Sequence, residues 1–415
     1  MFYTMPTIRY SSKTNVLLNL NNNAGCITNV SLDGKSIDTG LSRKISSDSN
    51  PITQSVGFET TLVKQLSQPN VPRCMKTVLI WWIPEIARKH FAYGGNEGQV
   101  NCSDLECSVY ITYSENVSKL ANADIVIFHA SFHTRNQEYK LFQKNRSPAQ
   151  IWIWQTWESP TRLLGMVKAP PSWFHFNLTM SYSFESDIHV PYGRYIPFEH
   201  PQTNNVATGK NWLRGKTKLM AWIAHNCVSS TYNRFEFVKY LQTQLPIDIY
   251  GHCGNLTCTS WNQVCQALKN YKFFLALENS ECNDYITEKF WEWPFLYDLN
   301  VVPIVYGPSR KDYEKVAPPN SFIHISDFDT LKDFVKYINL IENDVEMYNA
   351  FFDWKKMGRV VKENDNFSPS RICSLLDVKP PKQDHNINGE WWNKKCKPSS
   401  KNRYPFKPTK RHSGK

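Results

Sequence analysis

The chain has 415 residues, of which 41% are hydrophobic and 14% aromatic, enough apolar material for at least two folded cores. No window approaches the roughly 18 apolar residues of a membrane-spanning helix, and no signal-peptide pattern opens the chain. Residues 379–415 hold eleven Lys and Arg against two acidic residues, so only about +2 of the net charge of +11 belongs to the rest. That near-neutral body argues against a nucleic-acid partner.

The predicted elements begin after a segment of low apolar content. Residues 1–73 are rich in Asn, Ser and Thr and are predicted to form a poorly structured stalk or linker. From there on, short β-branched and aromatic runs alternate with helical stretches, which indicates α/β architecture with buried parallel strands. The predicted strands cover 77–82, 123–128, 151–154, 218–223, 247–250, 271–277, 301–305 and 321–325, and the clearest helices cover 232–244 and 284–297.

A loop-like stretch near 197–215 separates two clusters of predicted strands. We therefore expect two doubly wound Rossmann-like domains, 74–205 and 206–376, facing each other across a cleft. Ligands of such domains bind at the carboxyl ends of the strands. The basic C-terminal extension, 377–415, is interrupted by Pro and Ser and is predicted to be mostly solvated.

Cysteines and glycosylation sequons both point to an oxidising compartment. The chain has eleven cysteines, and the spacing of Cys253, Cys258 and Cys265 completes no convincing zinc ligand set. Disulfides are the better interpretation, with at least one thiol left free or paired between chains. Acceptor sequons for N-glycosylation begin at Asn29, Asn101, Asn116, Asn145, Asn177, Asn255 and Asn366.

Several motifs are weak or missing. The sequence has neither a P-loop nor a G-x-G-x-x-G fingerprint, which argues against a P-loop NTPase and an ordinary dinucleotide enzyme. His129 and His133 follow a predicted strand and are more typical of loop histidines than of a zinc helix. Asp327 and Asp329 resemble an Asp-x-Asp metal site but better fit the cap of a helix that begins near Thr330.

Two segments could carry chemistry. Residues 277–289 place polar side chains between a hydrophobic strand and a helix, where free backbone N–H groups and Lys289 would attract a diphosphate. An ordinary capped helix explains this segment equally well. Residues 154–160 deliver Glu158 just beyond a strand among aromatic residues, as a general base requires, although a turn residue before Pro160 is the simpler interpretation.

A longer pattern resembles a known family. Residues 271–280, 284–290 and 302–307 (YKFFLALENS, DYITEKF and VPIVYG) are together similar to the signature of the α1,3-fucosyltransferases, glycosyltransferase family 10. Residues 123–129, 154–160 and 181–193 resemble further family segments in the same order. The similarity covers roughly residues 76–376. The Cys-containing stretch from residue 249 and the Trp-Trp pair at 391–392 look most like invertebrate enzymes that fucosylate the N-glycan core.

This resemblance implies a GT-B fold, with the acceptor on the first domain and GDP-fucose on the second. It implies that Glu158 is the general base and that Arg234 and Lys289 hold the diphosphate of GDP-fucose. Further donor-site positions implied by the family are Tyr192, Asn226, Asn279, Tyr285 and Glu288. No cofactor is implied to be obligatory, and Mn²⁺ is expected at most to stimulate.

The expected reaction is inverting transfer of fucose from GDP-fucose to O3 of a GlcNAc in glycoprotein N-glycans, in the chitobiose core. Lewis-type fucosylation of antennae, an inactive carbohydrate- or nucleotide-binding relative, and a structural secreted glycoprotein remain alternatives. The family implies a Golgi lumen or secretory location, with membrane association only through an N-terminal anchor absent from this chain. Pro294 departs from the family pattern and should end or kink the helix after Lys289.

Overall fold

The structure, a computed structural model, describes part of the chain. The described residues belong to a single unit of the chain, Ser67–Lys415. The predicted stalk and its sequon at Asn29 lie outside them, as does Asn366. The described ranges are 74–81, 97–130, 136–164, 170–201, 209–227, 231–258, 265–363, 367–379, 392, 394–398 and 405–406.

The first sheet has seven strands in the order β2-β3-β1-β4-β5-β6-β7. Only β2 runs antiparallel to its neighbour, and the other pairs are parallel. The carboxyl ends of β4, β5 and β6 therefore open on one edge of the sheet. The strands are β1 Cys74–Trp81, β2 Glu97–Cys102, β3 Cys107–Tyr113, β4 Ile125–His129, β5 Ile151–Thr156, β6 Leu178–Ser181 and β7 Ile188–His189.

The second sheet has five strands, all parallel, in the order β10-β9-β11-β12-β13. Its central strand, β11, is buried along almost its whole length, as a continuous apolar run predicts. The strands are β9 Lys218–Ile223, β10 Ile247–Tyr250, β11 Tyr271–Leu277, β12 Val302–Tyr306 and β13 Ile323–His324. The predicted α/β class with two parallel sheets is confirmed.

Predicted strand positions agree with the structure wherever the apolar run is continuous. The bounds of β9, β10 and β11 match the prediction, and β1, β4, β5, β12 and β13 shift by a few residues. The prediction missed β2, β3, β6 and β7 of the first sheet. In β2 the buried positions are Val100 and Cys102 only, so its polar sequence gave no clear strand signal.

The helices flank the sheets, and most of those in the second half are capped by side chains. The helix predicted to begin near Thr330 is present, but its N-cap is Thr330, which accepts a hydrogen bond from the backbone N of Asp333, and not Asp327 or Asp329 as expected. The helices are α1 Val117–Leu120, α2 Asn136–Asn145, α3 Pro160–Leu164, α4 Arg234–Gln242, α5 Glu288–Trp291, α6 Arg310–Val316, α7 Leu331–Ile341, α8 Val345–Ala350 and α9 Pro369–Ser374. None of the helices described is long and apolar enough to cross a membrane.

The helix predicted over 284–297 is shorter than expected. Asp284 adopts a left-handed backbone and Thr287 an extended one, so α5 starts only at Glu288. It ends at Trp291 and continues as a π turn, Glu292–Leu296, that contains Pro294. Because proline donates no backbone hydrogen bond, the predicted interruption of the α-helix near this residue is confirmed.

The chain crosses back to the first sheet near its C-terminal end. β14, Gly358–Lys362, pairs antiparallel with β8, Gly193–Pro197, and α9 then packs on the first sheet through Ile372. A disulfide joins Cys373 of α9 to Cys102 of β2. The domain division at residue 205 stays a prediction. β14 and β8 form a separate two-stranded sheet, whereas residues 367–376 pack with the first sheet, not with the second as the sequence suggested.

Ten of the eleven cysteines form disulfides, as predicted, and Cys26 lies outside the described residues. A bond between Cys282 and Cys396 ties the C-terminal segment to the loop after β11. The pairs are Cys74–Cys107, Cys102–Cys373, Cys227–Cys253, Cys258–Cys265 and Cys282–Cys396.

Trp392 and residues 394–398, here called the C-terminal strap, are packed against both sheets. The Trp392 ring lies 4.9 Å from that of Trp154 at the end of β5 and is 3% exposed. Lys397 contacts the carboxylate of buried Glu281 at 3.1 Å. The expectation of a mostly solvated tail is wrong for these residues, because a large indole and a disulfide anchor them.

Replacing Trp392 by Ala should lower the free energy of unfolding by about 3 kcal/mol, the usual cost of truncating a buried indole. Chemical denaturation followed by tryptophan fluorescence measures the change. Trp173→Ala is the matched control, because Trp173 is 43% exposed and should cost about 1 kcal/mol or less. Equal losses in the two variants would show that the strap does not hold the sheets.

Candidate functional site

The predicted base lies where the first sheet ends. Glu158 is the second residue after β5, and its backbone N donates to Oγ1 of Thr156 at 3.0 Å. This short turn directs the chain from the strand into α3. Glu158 is half-buried, so a reacting group from solvent can reach its carboxylate.

A tyrosine in a loop that follows a strand of the second sheet forms a hydrogen bond with this carboxylate. Tyr285, in the loop between β11 and α5, donates its hydroxyl to Oε2 of Glu158 at 3.0 Å. Burial, and then the charge of Glu158, raise the pKa of Tyr285 well above its usual value, so the hydroxyl stays protonated. The ring of Tyr182 lies 4.9 Å from that of Tyr285. The two predicted residues are therefore brought together across the sheets.

Lys289 lies at the start of α5 and is surrounded by acceptors. Its Nζ donates to Oγ1 of Thr287 at 2.7 Å and to Oε1 of Glu288 at 3.0 Å, and lies 3.2 Å from Oε2 of Glu278. Burial lowers the pKa of Lys289, but the Glu278 and Glu288 carboxylates together outweigh it, and the net shift is upward. Lys289 therefore remains a cation at neutral pH.

Arg234 opens α4 and lies beneath the same edge of the second sheet. It is 4% exposed, and its guanidinium donates to the backbone O of Leu277 at 3.1 Å and of Asn226 at 2.8 Å. Its Nε has no hydrogen-bond partner among the described residues. Its charge lowers the pKa of Lys289, so the two cations share one electrostatic environment.

The remaining predicted residues surround these groups. Tyr192 donates its hydroxyl to the backbone O of Trp157 at 2.7 Å. Burial raises the pKa of Tyr192, and the charges of Glu288 and Glu158 raise it further. Tyr192 is thus influenced by carboxylates from both halves of the site. Asn279 accepts a hydrogen bond from Ser280, and Asn226 contributes its backbone O to Arg234.

Sequence reasoning missed two residues of this cluster. Glu278 directly follows β11 and is completely buried, and its carboxylate accepts hydrogen bonds from the backbone N and the hydroxyl of Thr287. A carboxylate immediately after a seven-residue strand that is apolar or aromatic at every position except Lys272 was the available signal. Only the fold shows that its partner is Lys289, eleven positions further along the chain.

Other sequence candidates stay outside the site. His129 is the last residue of β4, and burial lowers its pKa to about 4, as suits a strand-end histidine. His133 is outside the described residues. Asp327 pairs with Arg310. The described part of the chain contains no group of three or more His, Cys, Asp or Glu that could hold a metal ion.

Two family models match this chain. The model for the fucosyltransferase N-terminal region matches residues 73–193, and that for the glycosyltransferase family 10 (fucosyltransferase) C-terminal region matches residues 213–389. Relatives support both matches. Bovine 3-galactosyl-N-acetylglucosaminide 4-alpha-L-fucosyltransferase FUT3 is 34% identical, over 70% of this chain and 77% of the relative. The chain belongs to glycosyltransferase family 10, the fucosyltransferases.

Further similarities come from a nematode and from a solved structure. The alpha-(1,3)-fucosyltransferase fut-6 of Caenorhabditis elegans is 30% identical, over 70% of this chain and 74% of the relative. A solved alpha1,3-fucosyltransferase with GDP-fucose has a TM-score of 0.47 and 17% identity, covering 75% of this chain and 93% of the other. The two family models and the relatives show that the chain is a glycosyltransferase enzyme.

The sequons of this fucosyltransferase differ in their surroundings. Asn101, Asn116 and Asn255 are exposed, and Asn145 is half-buried at the end of α2. Asn177 is also half-buried, and its amide O accepts hydrogen bonds from the backbone N of Trp152 and from Arg146. A glycan at Asn177 would disturb these contacts.

We therefore expect glycans at Asn116 and Asn255 and none at Asn177. Glycopeptide mass spectrometry of the chain secreted from eukaryotic cells measures occupancy at each sequon. High occupancy at Asn177 with an unchanged unfolding temperature would contradict the structural reasoning.

Replacing Tyr285 by Phe should lower the kcat of this fucosyltransferase about tenfold, because a hydrogen bond to a charged carboxylate is worth roughly 1.5 kcal/mol. Steady-state kinetics measure the change. Tyr182→Phe is the control, since the buried hydroxyl of Tyr182 has no partner within the described structure. It should change kcat by about twofold or less, and equal effects would disprove a special role for Tyr285.

Proposed function

We propose that this enzyme is an inverting α1,3-fucosyltransferase that transfers L-fucose from GDP-β-L-fucose to O3 of a GlcNAc in glycoprotein N-glycans. The observation that carries the proposal is the position of Glu158. Glu158 lies two residues after the end of β5, and its carboxylate accepts a hydrogen bond from Tyr285. Tyr285 belongs to the loop between β11 and α5, and Lys289 is the second residue of α5. The proposed base lies at the end of the first sheet and the two cations lie at the second sheet. This arrangement matches the acceptor and the donor of a glycosyl transfer.

In the proposed reaction, the acceptor O3 attacks the anomeric carbon of fucose from the face opposite GDP. The new C–O bond forms as the bond to the β-phosphate oxygen breaks, and the linkage changes from β to α. Glu158 takes the proton of the O3 hydroxyl, and GDP leaves with the electron pair of the broken bond. One carboxylate suffices because inversion requires no covalent intermediate with the enzyme.

Charge develops on the departing diphosphate, and Arg234 and Lys289 are the groups that would stabilise it. Each is worth about 2–4 kcal/mol in a site shielded from water. Both are anchored before the substrate arrives, Arg234 by two backbone carbonyls and Lys289 by Thr287. Tyr192, Asn226, Asn279 and Glu288 complete the proposed donor site.

Two fixed cations next to the diphosphate make a bound metal ion unnecessary for charge neutralisation in this proposal. Mn²⁺ is therefore proposed as a stimulator at most. Transfer measured with EDTA and with added Mn²⁺ tests this point directly.

For the acceptor, we propose a GlcNAc of the N-glycan chitobiose core. The support is the pattern near residues 249–265 and 391–396, which resembles core-modifying enzymes. An antennal acceptor is the second candidate, because human and gorilla relatives at 36–37% identity are named 4-galactosyl-N-acetylglucosaminide 3-alpha-L-fucosyltransferases. The five disulfides and exposed sequons support work in the lumen of the secretory pathway, with the Golgi as the proposed compartment.

The decisive experiment incubates the purified chain with GDP-fucose and a panel of chitobiose-core glycans, LacNAc and LacdiNAc, and locates the added fucose by mass spectrometry. Glu158→Gln should lower transfer by about 100-fold or more, because it removes the base without changing its size. Glu314→Gln, an exposed carboxylate on α6, is the control and should leave transfer unchanged. GDP binding without any transfer would establish the inactive-relative alternative.

A further inference from the structure

The roles assigned above leave one buried carboxylate unused. Glu278 directly follows β11 and is completely buried. Gly307, after β12, presses against it so closely that a Cβ at this glycine would lie 2.7 Å from the Cβ of Glu278. An ionised group in such a place requires fixed partners, because burying an unpaired charge is expensive.

The partners of Glu278 come from the start of α5. Thr287 donates its backbone N to Oε1 at 2.7 Å and its hydroxyl to Oε2 at 2.8 Å. Lys289 completes the set at 3.2 Å from Oε2. Thr287 also accepts a hydrogen bond from Lys289, so the side chains of Glu278, Thr287 and Lys289 each contact the other two.

The second anion on Lys289 is differently placed. Glu288 contacts Nζ at 3.0 Å, but its side chain is 41% exposed, whereas Glu278 has no exposed surface. The ammonium donates hydrogen bonds to Thr287 and Glu288, and Glu278 lies 3.2 Å from it as an ion-pair partner. A phosphate that approaches Lys289 must compete with these groups, and Glu288 is the one whose side chain is exposed and can turn away.

We propose that the diphosphate of the nucleotide displaces Glu288 from Lys289, whereas Glu278 stays in place as the permanent counterion that positions the ammonium. This inference rests on the proposed function, which assigns Lys289 to the diphosphate. Glu278 is then a positioning residue, because it acts on the substrate only through Lys289. Glu288 is an exchangeable counterion that neutralises Lys289 while the site is empty.

The charges around Lys289 give a pH signature for this arrangement. Burial lowers the pKa of Lys289, Arg234 lowers it further, and Glu278 and Glu288 raise it above the usual value. Removing the charge of Glu278 must therefore move this pKa downward. The ammonium would then lose its proton at a lower pH, and affinity for a diphosphate would be lost as the pH rises.

The test uses isothermal titration of GDP into the intact chain and its variants at pH 7 and pH 9. Glu278→Gln should raise the Kd for GDP about tenfold at pH 7, and by more at pH 9. Glu288→Gln should lower the Kd about threefold, because it removes an anion that competes with the phosphates. GDP carries no fucose, so contacts between Glu288 and fucose do not enter the measurement.

Glu281→Gln is the matched control. Glu281 is a second buried carboxylate in the same loop, 2% exposed, but its side-chain partners are Tyr306 and Lys397. This variant should lose stability without a change in the Kd for GDP or in its dependence on pH. Circular dichroism of each variant confirms that it is folded before titration.

Opposite changes of Kd in Glu278→Gln and Glu288→Gln support the proposal. An unchanged or weaker affinity in Glu288→Gln overturns it, even if Glu278→Gln fails to fold. An unchanged affinity in folded Glu278→Gln overturns it as well. If the unmodified chain does not bind GDP at all, the proposed donor site itself fails, which is a distinct result.

Discussion

A hydrogen bond from Tyr285 to Glu158 joins the loops at the ends of two parallel sheets, and the arrangement of the site depends on it. Parallel strands deliver their carboxyl ends to one edge, so each sheet presents polar side chains there without disturbing its core. When two such edges meet, a base and a pair of cations can approach each other from separate scaffolds. Electrostatic interactions in the junction are strong because protein replaces much of the water.

Buried charges determine the conformation of the second half of the site. Glu278 must be paired, and its partners Thr287 and Lys289 fix the first turn of α5. Arg234 binds the backbone carbonyls at the ends of β9 and β11 and so links the strand ends to α4. The cations are thereby placed before any ligand binds, which reduces the reorganisation required during a reaction.

A disulfide and aromatic contacts support the loops that carry Glu158 and Tyr285. The disulfide between Cys282 and Cys396 connects the loop after β11 to the C-terminal strap. Trp392 of the strap packs on Trp154 and lies 5.8 Å from Tyr182, which in turn packs on Tyr285. A segment that sequence composition placed in solvent thus supports Tyr285, the residue that holds the proposed base Glu158.

The sequence alone determined the strands that consist of continuous apolar runs, the α/β class and the family, because such runs and a long specific motif depend only on local order. It also indicated Glu158, Arg234, Lys289 and Tyr285, although the contact between Tyr285 and Glu158 joins residues 127 positions apart. Composition could not predict the burial of Trp392 or the return of residues 367–376 to the first sheet, since both depend on packing between distant segments. The role of Glu278 was likewise decided by the tertiary structure, because a carboxylate becomes a fixed counterion only when folding buries it beside a cation.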